Sequence, residues 1–104
     1  MKREQAIEML RQWHEECIEA AKGLPTGYYA IVEERERTCG TLHGTAVVWD
    51  GETMREASEW RKCDFYEDLT LTDEEDISAF NENLEAFKDD VKKVAEQHKK
   101  QHAA

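Results

Sequence analysis

Apolar residues near the end of the chain recur at alternating spacings of three and four: Ile77, Phe80, Leu84, Phe87, Val91 and Val94, with His98 at the next position. This is the pattern of one long amphipathic helix, from Thr72 to His98, that must bury its stripe. Thr72-Asp73-Glu74-Glu75 has the form of a capping box, and its acids face the positive end of the helix dipole. Lys92, Lys93, Lys99 and Lys100 sit toward the other end, and the tail beyond His98 is expected to fray. Residues 2–22 predict a first helix of the same kind. Ile7, Leu10, His14, Cys17 and Ala21 share the spacing, and Ala6, Trp13 and Ala20 widen the stripe. Gly23 is the expected C-cap, and Pro25 prevents continuation.

Between the helices the period changes. Tyr28 to Val32 is a β-branched and aromatic run, and it turns charged over Glu33 to Arg37, so its far end is expected in solvent. Thr38 to Gly44 reads as a loop, and Thr45 to Trp49 as the second strand. Asp50-Gly51 is a strong two-residue hairpin signal; a type I′ turn there pairs Val48 with Thr53 and Val47 with Met54. It implies a third strand from Glu52 to Trp60. The competing element is a short helix with Met54, Ala57 and Trp60 on one side, a thinner pattern than the turn chemistry. Phe65 to Leu71 predicts a fourth strand, with Phe65, Leu69 and Leu71 on one face and Glu67 misplaced on it.

The fold class that follows is α+β: an N-terminal helix, an antiparallel meander of three to four strands and a long C-terminal helix. Both helices pack on one face of the sheet. A chain of 104 residues is expected to form a single domain. No run is apolar and long enough to span a bilayer, and residues 1–10 lack the apolar stretch of a secretory signal, so a cytoplasmic location is expected. Three cysteines without close pairs, Cys17, Cys39 and Cys63, are then expected to be free thiols.

Charge sharpens the picture. The net charge is −10 and is unevenly spread: residues 64–104 carry twelve acids against five bases. Asp64, Glu67, Asp68, Asp73, Glu74, Glu75 and Asp76 form a run without a base. Such a surface repels nucleic acid and attracts basic partners, chiefly by raising the encounter rate, although excess acid also serves solubility.

Candidate chemistry is sparse. His14 and Cys17 lie one turn apart, Cys39 and His43 share a glycine-containing loop, and Cys63 is a further zinc ligand candidate. No close Cys-x-x-Cys spacing supports a metal centre, and burial in the core accounts for His14 and Cys17. Cys39 with His43 has the composition of a nucleophile pair, but nothing marks an orienting group or an oxyanion hole. No phosphate loop, nucleophile elbow or apolar carboxylate pair is present; Glu67 reads as a charge that deters edge aggregation. No enzyme activity and no cofactor are expected.

The remaining candidate is a surface. Glu75, Glu82, Asp89 and Glu96 recur every seven residues opposite the apolar stripe, ~10.5 Å apart along a helix. A solvated helix face accounts for that row alone, and its spacing does not copy the ~3.4 Å rise of phosphates along one strand. Phe80 and Phe87 are bulky for a coiled-coil seam, so packing on the sheet is preferred. Trp49 and Trp60 are candidate anchors for a partner or a homodimer contact. The expected function is a small acidic protein-binding regulator, in its most concrete form an inhibitor or immunity-type protein that blocks a basic nucleic-acid-binding protein or nuclease. Asp64, Glu67, Asp68, Asp73, Glu74, Glu75, Asp76, Glu82 and Asp89 would steer, and Trp60 would anchor. The alternatives are a secretion or assembly chaperone that binds through apolar sheet surface, and a zinc-binding structural domain.

Overall fold

The computed structural model describes residues 3–36, 42–65 and 73–102. The elements are α1 (Arg3–Ala21), β1 (Tyr28–Glu36), β2 (Leu42–Asp50), β3 (Arg55–Glu56), β4 (Arg61–Phe65) and α2 (Asp73–His102). β2 is the spine of an antiparallel sheet. β1 runs along one side of it, from Tyr28↔Asp50 to Glu36↔Leu42. On the other side β4 pairs with Leu42–Ala46 and β3 with Trp49–Asp50, so these two short strands share one edge end to end. Where that edge is broken, Ala57 N–H donates to the Val48 carbonyl at 2.7 Å and Val48 N–H donates to Ser58 Oγ at 2.9 Å. A serine hydroxyl thus stands in for the missing ladder partner.

Strand alternation puts Leu42, Gly44, Ala46 and Val48 on the face that α1 and α2 cover, beside Ala30, Val32 and Cys63. α1 supplies Ala6, Leu10, Trp13 and Cys17 to the core, and α2 supplies Phe80, Leu84, Phe87, Val91 and Val94. Both expected stripes are present, except that Ile77, at the start of the α2 stripe, is 44% exposed and α1 is rotated. Ile7 is 39% exposed while Ala6 and Trp13 are buried, because turning α1 toward the sheet hides its largest side chain. Gly44 makes that approach possible: a Cβ there would stand 2.7 Å from Leu10 Cδ1 and 3.4 Å from the Trp13 ring. Trp13 Nε1 is buried without a hydrogen-bond partner, a cost of about 1–3 kcal/mol set against burial of the whole indole.

The hairpin after β2 differs from expectation. Asp50 and Gly51 do not form a two-residue turn, and Val48 does not pair with Thr53 or Val47 with Met54. The register Asp50↔Arg55 leaves a four-residue loop, Gly51 to Met54. Asp50 Oδ1 accepts from the backbone N–H of Glu52 at 2.9 Å and of Thr53 at 3.3 Å, which caps the loop locally. Desolvation pushes the Asp50 carboxyl up, but these bonds and one from the Thr53 hydroxyl outweigh it and hold it below its ordinary value. The positive φ falls at Met54 (57°), not at Gly51. Gly51 is needed for a different reason. Its N–H donates to the Gly27 carbonyl at 2.8 Å, and a Cβ would stand 2.9 Å from that oxygen. The third strand, expected over Glu52–Trp60, is two residues long, and no helix replaces it.

Other boundaries shift in the same region. β1 and β2 run on to Glu36 and back to Leu42, so part of the expected Thr38–Gly44 loop is strand. Backbone pairing does not need apolar side chains on a solvent face, and Glu33, Glu34 and Arg35 are exposed as expected. The last strand starts at Arg61 and not at Phe65; residues 66–72, including Leu69, Leu71 and the expected cap Thr72, lie outside the described residues. Gly23 follows α1 without a positive φ, and the helix closes through three-residue steps, Gly23 N–H to the Ala20 carbonyl among them. α2 extends past His98 to His102, with Tyr28 and His98 meeting edge to face at 5.9 Å.

A bidentate ion pair ties the second helix to the sheet. Arg61 Nε and Nη2 donate to Asp90 Oδ2 and Oδ1 at 2.8 and 2.9 Å. Asp90 is only 7% exposed and sits on the border of the α2 stripe, between Phe87 and Val94. The bond to Asp90 raises the Arg61 pKa against the opposing effect of burial, so the guanidinium stays charged.

Two measurements check these assignments. Gly51→Ala is expected to cost roughly 1–3 kcal/mol, through the clash with the Gly27 carbonyl, and to lower the urea midpoint; an unchanged midpoint refutes that role. Asp90→Ala is expected to cost about 3 kcal/mol, because it strands a charged guanidinium, whereas the double variant Arg61→Met with Asp90→Leu stays close to wild type. Equal losses in both variants would show that the packing around the pair matters, and not its charge.

Candidate interaction surface

α2 carries its acids on the side away from the core. Glu82, Asp89 and Glu96 are all exposed, at the expected seven-residue spacing. The Ser78 hydroxyl donates to Glu82 Oε1 at 3.5 Å, and Lys88 Nζ lies 3.4 Å from Glu85 Oε1. Among the described residues neither Asp89 nor Glu96 takes part in an ion pair. Asp64 belongs to β4, and Asp73, Glu74, Glu75 and Asp76 belong to the first turns of α2; their backbone alone is described. Glu67 and Asp68 lie outside the described residues. Between residues 73 and 91 the helix has eight acids (Asp73, Glu74, Glu75, Asp76, Glu82, Glu85, Asp89, Asp90) and one base, Lys88. Beyond that point Glu96 stands among Lys92, Lys93, Lys99 and Lys100, so the negative stretch ends at Asp89.

Trp60 stands just before β4. It is 38% exposed, and its Nε1 donates to Glu56 Oε1 at 2.9 Å. Its neighbour Arg61 is bonded to Asp90, and Lys62 N–H donates to Asn83 Oδ1 at 3.4 Å, so β4 starts alongside residues 83–90 of α2. The Trp60 ring itself is held by Glu56, whose register partner Trp49 lies on the sheet face away from α2. The carboxylate that ties α2 to β4, Asp90, was not singled out by the sequence reading. Its position within the three–four stripe, at Phe87, Asp90 and Val94, is the signal that could have found it.

A second surface lies on the face of the sheet opposite α1 and α2. Tyr29 pairs with Trp49 and Ile31 with Val47 on this side. Tyr29 is 48% exposed, Ile31 and Trp49 are half-buried, and Val47 is fully buried between its neighbours. Among the described residues the buried Trp49 Nε1 has no hydrogen-bond partner.

The zinc candidates do not converge. His14 and Cys17 lie on α1 and Cys63 faces the same core, whereas His43 belongs to the opposite face of β2. Cys39 lies outside the described residues. His14 Nδ1 stands 3.2 Å from Glu34 Oε1, off line for a hydrogen bond. Burial pushes the Cys17 thiol up to about 12, with Glu16 adding to the effect and Lys88 opposing it. A thiol of that kind is neither a nucleophile nor a ready metal ligand at neutral pH. Among the described residues no group of three or more His, Cys, Asp and Glu is placed to hold a metal ion. Between the helices there is a groove of about 420 Å³, with Ala20, Gly23, Val91 and Ala95 as its floor and Glu16, Glu19, Lys88 and Lys92 at its rim.

Native protein is expected to take up the same amount of iodoacetamide as the Cys17→Ser/Cys63→Ser variant, because both thiols are buried. Faster labelling of the native wild type would show that one of them is accessible. No helix among the described residues is long and apolar enough to cross a membrane. Compared with known proteins, the chain has no match: no family model fits it, and no curated protein or solved structure matches it.

Proposed function

We propose that this chain is a small acidic protein-binding regulator, most concretely an inhibitor or immunity-type protein that occupies the basic surface of a nucleic-acid-binding protein or nuclease. The observation that carries this reading is the density of acid on residues 73–91 of α2. Exposed carboxylates such as Glu82 and Asp89 raise the association rate with a basic partner, and Asp64, Glu67, Asp68 and Asp73 to Asp76 extend the field. Rim charges of this kind add little affinity, which falls to an anchor that is desolvated on binding; Trp60, partly exposed, has the size for it. In this reading the protein binds neither nucleic acid nor membrane, performs no catalysis and needs no cofactor.

The test is capture of partners from the native cell lysate on immobilised protein, with release by added salt. Wild type is expected to retain basic nucleic-acid-binding proteins that elute as the ionic strength rises toward ~0.5 M. Glu82→Lys with Asp89→Lys is expected to lose most of that retention, and Trp60→Ala to speed dissociation. Equal retention by the charge-reversal variant at low salt would end the proposal.

A second reading has its own observation. Tyr29, Ile31 and Trp49 form apolar surface on the sheet face opposite both helices, which suits a secretion or assembly chaperone whose acids serve solubility. Binding through that face is expected to ignore salt and to fall with Tyr29→Ala and Trp49→Ala, while Glu82→Lys leaves it unchanged.

A further inference from the structure

Among the described residues β1 is an edge strand with one side unused. The bond from Gly51 N–H to the Gly27 carbonyl sets the phase of the hairpin, so Tyr29, Ile31, Glu33 and Arg35 direct their backbone groups at β2. The N–H and C=O groups of Ala30, Val32, Glu34 and Glu36 therefore point out of the sheet, as does the Tyr28 carbonyl. The Tyr28 N–H is already taken by the Pro25 carbonyl at 3.1 Å. Among the described residues no strand lies along this edge. Exposed edges are commonly blunted by proline, bulges or charge. Here the nine-residue register with β2 is unbroken, there is no proline, and charge begins only at Glu33.

We propose that this edge pairs antiparallel with the same edge of a second copy of the chain, on a twofold axis through Val32. The side-chain pattern selects both the occupant and the register. With the axis at Val32 all nine residues pair. Ala30 lies opposite Glu34 of the second copy, Ile31 opposite Glu33, Tyr29 opposite Arg35 and Tyr28 opposite Glu36. The charged half of one strand thus meets the apolar half of the other, no like charges face each other, and a guanidinium meets an aromatic ring. An axis at Glu33 or Glu34 sets two glutamates directly opposite, which is unfavourable. An axis at Ala30 pairs only Tyr28 to Val32. The outward backbone groups fall in hydrogen-bonded pairs in the Val32 register, and the patches of Tyr29, Ile31 and Trp49 from both copies join on one continuous sheet face.

An edge-to-edge contact is smaller than a standard interface, so the dimer dissociates on dilution, at roughly micromolar concentrations or above. Each copy carries −10, so added salt, by screening self-repulsion, strengthens the dimer. That is opposite to the salt response of the proposed acidic-surface binding, which separates failure of one idea from failure of the other.

The test is sedimentation equilibrium over a broad concentration range at low and high salt, with circular dichroism to confirm the fold of each variant. Wild type is expected to rise with concentration from 12.1 kDa toward twice that mass, and further at high salt. Tyr29→Arg is expected to weaken the dimer about tenfold, by placing two guanidinium groups opposite each other. Adding Arg35→Glu is expected to restore it through an opposite-charge pair; both side chains are exposed, so the monomer tolerates the changes. A wild type that stays monomeric throughout overturns the proposal. So does a Tyr29→Arg variant that dimerises as well as wild type, or a double variant that stays as weak as the single one.

Discussion

Two helices and one sheet face bury each other along Leu42, Gly44, Ala46 and Val48 of β2, and this mutual covering is the constraint on which the structure rests. Gly44 and Ala46 are small, and that lets Trp13 of α1 lie almost against the backbone of the strand. α2 brings Phe87, fully buried, to the same core. Neither helix could hide its stripe alone, and the sheet could not hide its inner face without both. The rotation of α1 that exposes Ile7 follows from this: the helix turns until its tryptophan is covered, and a smaller side chain is left outside.

The Arg61–Asp90 pair adds direction to that packing. Apolar faces tolerate sliding, whereas a bidentate bond between β4 and the middle of α2 selects one arrangement. Asp89 precedes Asp90, so the bond that orients the helix also fixes where that exposed carboxylate stands, while the Trp60 ring is held separately by Glu56.

Charge is distributed by similar logic. Acids at the start of α2 and lysines near its end suit the helix dipole, and this accounts for part of the polarity without any partner. It does not account for Glu82 and Asp89, which lie far from the first turn on the outward side. The sheet face opposite the helices and the outer edge of β1 are, in contrast, largely apolar at their Tyr28–Val32 half. The molecule thus offers a charged flank and an apolar flank, and ionic strength acts on them in opposite senses.

Periodicity alone determined the element order, the α+β class and the placing of both helices on one face, because helical stripes and strand runs are local patterns that burial then enforces. The core residues Leu10, Trp13, Cys17, Phe80, Leu84, Phe87, Val91 and Val94 were legible for that reason. The row of Glu82, Asp89 and Glu96 was legible too, since it is the complement of a stripe. Details that depend on another segment were not. Asp50-Gly51 has the composition of a tight turn, but Gly51 serves a contact with Gly27 and the loop closes four residues long. The third strand shrank to Arg55–Glu56 because β4 occupies the rest of the same edge. The burial of Asp90 was decided by Arg61, 29 residues earlier in the chain, and only the folded structure brings the two together.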